Sequence, residues 1–222
     1  MKEFLRSIFR QPLPPYPGLK YRSENGKEFW EGVLRFDCRY DSIRRKDEFE
    51  VQIEMPQKDA FPLARETGGR IEKIQTKRRV KKKIDLHINP GNDSICLCPK
   101  PEERRLFPDG VDLEKFIKDL VIPYFFALGH FEETGKWPWG YYSHGPAGIF
   151  EYYFDKRGND PNLLNDCLAA IGVITQEQKR KLIAAQWNGR EKCICGSGLQ
   201  LRKCHRKAFK GLKAILEDLR SV

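Results

Sequence analysis

The stretch KCICGSGLQLRKCH, residues 192–205, sets Cys193, Cys195, Cys204 and His205 in the pattern C-x-C-x8-C-H. Three thiolates and one imidazole complete a tetrahedral donor set for Zn²⁺ and leave no coordination position for water. Such a closed site is structural and activates no nucleophile. Gly196 and Gly198 permit a tight turn between the ligand pairs. Backbone N–H groups in that turn can donate to the sulfurs. Without a metal, so short a segment has almost no core. The expectation is one structural Zn²⁺ per chain, with no other cofactor.

A second stretch, HINPGNDSICLC, holds His87, Asn89, Cys96 and Cys98 within residues 87–98. Three chemistries suit it. His87, Cys96 and Cys98 could ligate a second metal with Cys38 or His144 arriving from afar. Cys96 and Cys98 alternate with Ile95 and Leu97, so both could simply line the buried side of an extended segment. Or one thiol, as thiolate, is a nucleophile. Seven cysteines are an odd number, and their clustering is unlike a disulfide framework.

The elements around these residues change period along the chain. Phe4, Leu5, Ile8 and Phe9 share a helical face, so a short helix is expected over residues 2–10. QPLPPYPG ends it. WEGVLRFDCRY alternates, and so does DEFEVQIEM, with Phe49, Val51, Ile53 and Met55 on one face. GRIEKIQTKRRV and KKKIDLHI continue the strand-like text, so residues 33–90 read as an antiparallel meander with one buried face. After Cys98 the pattern becomes helical. Asp112 is the expected N-cap, and Pro123 should kink the helix or break it. The aromatic segment WPWGYYSH, residues 137–144, reads as a packed cap over the sheet. Thr175 and Gln178 fit a capping box, and AFKGLKAILEDL is an amphipathic helix. The expected class is α+β. The expected division is residues 1–155, a helical extension over 156–190, and a zinc knuckle with its helix over 191–222.

Two family resemblances follow from these motifs. Residues 193–205 resemble the SEC-C motif, found at the C-terminus of the SecA translocation ATPase and appended to many unrelated bacterial proteins. That resemblance implies binding of zinc and of other proteins or the ribosome. Residues 2–128 resemble the ubiquitin-conjugating enzymes in the order of their parts. A helix comes first, then a meander ending at Met55-Pro56, then Phe61-Pro62, His87-Ile88-Asn89 and Ser94-Ile95-Cys96-Leu97, with Pro108 ahead of the next helix. The text looks like the divergent bacterial members, some of which sit in antiphage defence operons beside activating enzymes and ubiquitin-like proteins. The resemblance implies a four-stranded antiparallel meander with flanking helices. It implies that Cys96 carries a ubiquitin-like C-terminus as a thioester, that Asn89 donates to the oxyanion and that His87 holds the asparagine loop. Its partners would be a ubiquitin-like protein, an activating enzyme and a target protein. This chain has Ile88 where that family has proline, and Asn89 and Cys96 are seven residues apart.

The 222 residues carry a net charge of +10, much of it in RIEKIQTKRRVKKK, from Arg70 to Lys83. That excess favours acidic partners, nucleic acid among them, although the run lacks interleaved aromatics. No stretch is apolar for long enough to span a membrane, and the basic N-terminus lacks a signal-peptide cleavage site. A cytoplasmic protein is expected. The contrasting functional class is a non-catalytic adaptor that binds proteins, ribosome or nucleic acid through its basic surface.

Overall fold

The computed structural model describes residues 15–56, 60–185 and 187–221. The helix expected over residues 2–10 lies outside them. The class is α+β. The chain forms two compact units: the described residues up to Leu97 together with Asp109–Trp139, and Cys98–Pro108 together with the described residues from Gly140 onward. In chain order the helices are α1 (Arg70–Arg78), α2 (Lys100–Leu106), α3 (Leu113–Phe116), α4 (Ile122–Thr134), α5 (Pro146–Lys156), α6 (Leu163–Ala170), α7 (Gln176–Ala184), α8 (Leu201–Cys204) and α9 (Arg206–Ser221). The expected domain boundaries near residues 155 and 190 fall inside α5 and inside the second unit.

The first unit is built on a four-stranded antiparallel meander, β1 (Leu19–Glu24), β2 (Lys27–Tyr40), β3 (Ile43–Met55) and β4 (Leu63–Glu66), in the order β1-β2-β3-β4. Asn25 and Gly26 both have positive φ and close the β1–β2 hairpin, a two-residue turn whose twist suits paired strands. Residues 19–24 were not read as a strand from the sequence. The alternation of β3 holds, since Phe49, Val51 and Ile53 are all buried. At the pair Leu19↔Gly32 the strands approach too closely for a side chain. A Cβ on Gly32 would meet the Gly18 carbonyl oxygen at 2.2 Å, and Gly32 has φ +135°.

The strand-like reading of residues 70–86 is corrected: Arg70–Arg78 is helical and Lys83–Leu86 is a 3₁₀ turn. Ile71 and Ile74 explain why. Three residues apart, they share one helical face and are both buried, whereas a strand would point them to opposite sides.

Asp112 caps α3, accepting from the Lys115 N–H at 2.6 Å. Between α3 and α4 the backbone widens into a π-helical turn, Ile117–Val121. Pro123 lies in the first turn of α4; its missing N–H and bulky ring are what an α-helical ladder cannot absorb. Phe125 of α4 stacks on Phe49 of β3 at 4.4 Å, which places the helix over the buried face of the sheet. At the end of that face Arg45 bonds Asp47 and Glu133, while Arg70 bridges Asp47 and Glu132. Burial opposes the charge on Asp47. The hydrogen bonds from Arg70 and Arg45 outweigh it and hold the carboxyl below its ordinary range.

The second unit packs α5 against α9 around Phe150, Tyr152, Tyr153, Leu212 and Ile215. Residues 98–108 join it through long-range pairs. Glu102 accepts from the Tyr152 hydroxyl, and Arg104 and Arg105 pair with Asp166 and Asp160. The capping box of α7 forms as expected, with Thr175 Oγ1 accepting from the Gln178 N–H and the Gln178 side chain accepting from the Thr175 N–H.

Candidate functional site

Residues 87–96 form a small β-bridged loop at the end of the first unit. Ile88 and Ile95 pair in antiparallel fashion, and both are buried. Two flanking hydrogen bonds hold the pair: Asn89 N–H to Ser94 O at 2.7 Å, and Cys96 N–H to His87 O at 2.7 Å. Cross-strand neighbours point to the same side. The pairing that buries Ile88 and Ile95 therefore turns His87, Asn89, Ser94 and Cys96 toward the other face. A ring nitrogen of His87 lies within 4.8 Å of the Cys96 sulfur.

The surrounding elements fix this loop from several directions. The Ile95 N–H donates to the Ala64 carbonyl of β4 at 2.8 Å, which fastens one arm to the sheet. Arg65 of β4 donates to the Asn92 carbonyl at 2.9 Å and to Glu54 at 2.9 Å, which ties the loop tip to β3. The Tyr124 hydroxyl, buried in α4, donates to the Leu86 carbonyl just before His87. His87 is buried with φ 57° and meets Trp137 edge-on at 5.5 Å. Lys83 pairs with Asp93 across the base.

Ser94 is fully buried and orients the asparagine. Its hydroxyl accepts from Asn89 Nδ2 at 3.0 Å and donates to Asn92 Oδ1 at 2.9 Å. A side-chain amide has two N–H donors. Ser94 takes one of them and fixes the amide plane. Cys96 is half-buried. Cys98 belongs to the second unit. Ser94, Asn92 and Arg65 were not singled out as site residues from the sequence. Asn92-Asp93-Ser94 after a Pro-Gly turn was a readable signal, because such residues bond their own backbone; Ser94 N–H does donate to Asn92 Oδ1 at 3.0 Å. Trp137 and Trp139 behave as packing residues, stacking on Phe131 at 5.0 Å and on Phe126 at 5.7 Å.

No family model, curated protein or solved structure matches this chain.

The second unit gathers Cys193, Cys195, Cys204 and His205, whose ligand atoms all lie within 4.8 Å of one another. Cys193 Sγ is 3.1 Å from His205 Nδ1, and Cys195 Sγ is 3.6 Å from Cys204 Sγ. A tetrahedral ion with metal–sulfur bonds of about 2.3 Å and metal–nitrogen bonds of about 2.0 Å separates its sulfurs by roughly 3.8 Å and sulfur from nitrogen by roughly 3.5 Å. The four side chains are thus close to the spacing of a metal site and can hold an ion. A bridge between Lys192 and Gln200 closes the first ligand loop, and Cys193 N–H donates to Leu199 O at 2.6 Å. Gly196 and Gly198, at φ +79° and +76°, make the turn. Helix α8 presents Cys204, and its buried Leu201 anchors it in the core. The Glu191 carboxylate accepts from the N–H groups of Asn188 and Gly189, which close the entry loop and hold its carboxyl below the usual range. Hydrogen bonds from Ser197 bring the Cys195 thiol down to about 6, whereas burial pushes Cys193 up to about 11.

Proposed function

We propose that the first unit is a cysteine-dependent acyl carrier of the ubiquitin-conjugating type, with Cys96 as the acceptor thiol. The observation that carries this reading is the 87–96 bridge, which turns His87, Asn89 and Cys96 to one face, with the Asn89 amide oriented by Ser94. The four-stranded meander preceding it supports the same reading. In the first step the Cys96 thiolate attacks the carbonyl of a ubiquitin-like C-terminus held as a thioester on an activating partner. A carbon–sulfur bond forms at Cys96 and the partner's thiolate leaves. In the second step an amine of the target attacks that carbonyl. Asn89 donates to the oxyanion, the Cys96 thiolate departs, and the amine proton passes to solvent. His87 positions the loop. The same chemistry is compatible with service in bacterial antiphage defence.

The Cys193, Cys195, Cys204 and His205 cluster, in this proposal, binds one Zn²⁺ as a structural clip. A closed Cys₃His site supplies folding free energy and no open coordination position.

The test uses the full chain and a synthetic peptide thioester ending in Gly-Gly. Mass spectrometry should find the acyl group on Cys96, and Cys96→Ser should remain folded but unacylated there. Asn89→Ala should load normally yet discharge to free lysine about 10²–10³-fold more slowly. Acylation at Cys98 instead, or equal discharge by Asn89→Ala, would overturn the assignment.

A second reading is favoured by Leu199, a large apolar side chain 60 % exposed between the metal-ligand pairs. It makes the chain an adaptor whose zinc knuckle docks a protein. A folded, metal-loaded chain whose Cys96 resists acylation would select that reading.

A further inference from the structure

The correction of residues 70–78 from strand to helix changes what their charge can do. Along α1 and the turn after it, Lys73, Lys77, Arg79, Lys81 and Lys82 are all exposed. Lys73 and Lys77 are one helical turn apart on the same face. None of the five has an ion-pair partner among the described residues. Lys20, Arg39, Lys46, Lys118 and Lys136 of the same unit also lack an ion pair among the described residues, but they are scattered along the sequence, whereas the five fall within residues 73–82. Arg22, Lys27, Arg35, Arg44, Arg45, Arg65, Arg70, Lys83 and Lys115 all bond carboxylates. The acidic groups close to the five are committed or few. Glu72 and Asp93 both pair with Lys83, and Asp85 is exposed on the 3₁₀ turn.

The backbone at Arg79 adds a second observation. Val80 N–H donates to Gln75 O and Arg79 N–H to Thr76 O, the double bond of a Schellman cap. Arg79 holds the left-handed position of that cap with φ 53°, where glycine is the easy choice. A strained cation is kept at the edge of the patch.

We propose that this face binds the phosphodiester backbone of nucleic acid without reading its sequence. Lysines predominate, and lysine is a flexible point charge suited to diffuse phosphates. A protein partner would need an apolar centre to the interface. The large exposed hydrophobics of the described residues, Phe154, Ile174 and Leu199, all belong to the second unit. No exposed aromatic lies among the five to stack a base, which leaves phosphate contact as the mode. This surface is independent of the acyl-transfer reading.

The test is fluorescence anisotropy of the full chain with labelled 20-mers of scrambled sequence as single-stranded RNA, single-stranded DNA and duplex DNA. If all five cations engage, the duplex slope of log K against log salt is about −4.5, and affinity falls roughly 500-fold between 50 and 200 mM salt. Lys77→Ala combined with Arg79→Ala should flatten that slope by about two. Lys210→Ala combined with Lys213→Ala, on α9, should leave it unchanged, as should Cys96→Ser. The comparison of strands tells which nucleic acid the backbone belongs to. Loss of binding in the α9 pair rather than the α1 pair would overturn the proposal. So would absence of salt-sensitive binding to any of the three probes, or binding only to anionic phosphatidylserine vesicles.

Discussion

Gly211→Ala sets two effects of opposite sign against each other. Gly211 lies within α9, where alanine is intrinsically better than glycine by about 1 kcal/mol. Helix propensity alone therefore says that the substitution stabilises. The packing says otherwise. A Cβ at 211 would sit 1.8 Å from the Phe150 carbonyl oxygen of α5 and 2.5 Å from its carbon. Both are backbone atoms, so no side chain can swing aside. Bringing that oxygen to the shortest Cβ contact seen in practice, 3.0 Å, needs a shift of at least 1.2 Å between the helices. A gap of 0.5–1 Å already forfeits roughly a quarter to a half of a dispersion well. The side chains that would lose contact are the buried centre of the unit: Phe150, Tyr153, Leu212 and Ile215. Overpacking of this kind costs about 1–3 kcal/mol, and the rigidity of the obstruction puts this case at the upper end. Subtracting the propensity gain leaves a loss of about 2 kcal/mol, or roughly 8–16 °C in Tm for a unit of this size. The measurement is thermal unfolding of the metal-loaded chain by calorimetry, with the exposed Lys210→Ala on the same helix as control. An unchanged or raised Tm for Gly211→Ala would refute the close crossing of α5 and α9.

Three further outcomes are expected. Natively purified protein should contain one zinc per chain by elemental analysis, and Cys204→Ala should remove it; at free zinc a thousandfold above Kd the metal stabilises the second unit by about 4 kcal/mol, so a strong chelator should lower its Tm. Asp47→Asn should cost about 2 kcal/mol at neutral pH, because the buried Arg45 and the half-buried Arg70 both lose a charged acceptor. The folded carboxyl titrates below its unfolded value, so its contribution is complete above the ordinary carboxylate range of about 4 and fades as pH falls through the lower folded value; the gap between wild type and Asp47→Asn in urea titrations should narrow toward pH 2. Arg79→Gly should raise stability by about 1 kcal/mol by relieving the left-handed backbone, measured as a shift in urea midpoint.

The parts of the molecule legible in the sequence are those whose physics is local. The period of β3, the caps at Asp112 and Thr175, and the C-x-C-x8-C-H spacing each depend on residues a few positions apart. Asn25-Gly26 was equally local, a hairpin signal between two extended runs, and it marks β1. Helix α1 was not legible in that way. Its nine residues carry six polar or charged side chains beyond Ile71, Ile74 and the arginine that starts it, and only the docking of those two isoleucines decides for helix over strand. The assignment of residues 98–108 to the second unit was also out of reach, because it rests on pairs such as Glu102–Tyr152 and Arg104–Asp166, more than forty residues apart in sequence.

The candidate thiol site lies between these cases. Its residue types were readable, but their geometry depends on the pairing of Ile88 with Ile95. That register sets Cys96 opposite His87 and Asn89 opposite Ser94, so the asparagine reaches the thiol along a diagonal of roughly 7–8 Å. In the proposed transfer the amide would donate to an oxyanion one acyl carbon beyond the sulfur, not to the sulfur itself. The Ser94 hydroxyl matters for the same reason: over a diagonal, a donor that could rotate would be aimed nowhere, and Ser94 removes that rotation by taking one N–H. Ser94→Ala should therefore leave Cys96 able to load while slowing discharge, with a smaller effect than Asn89→Ala, and single-turnover discharge of the peptide thioester separates the two. Equal loading and equal discharge in wild type and Ser94→Ala would mean that Asn89 is held by something other than the serine or plays no part in transfer.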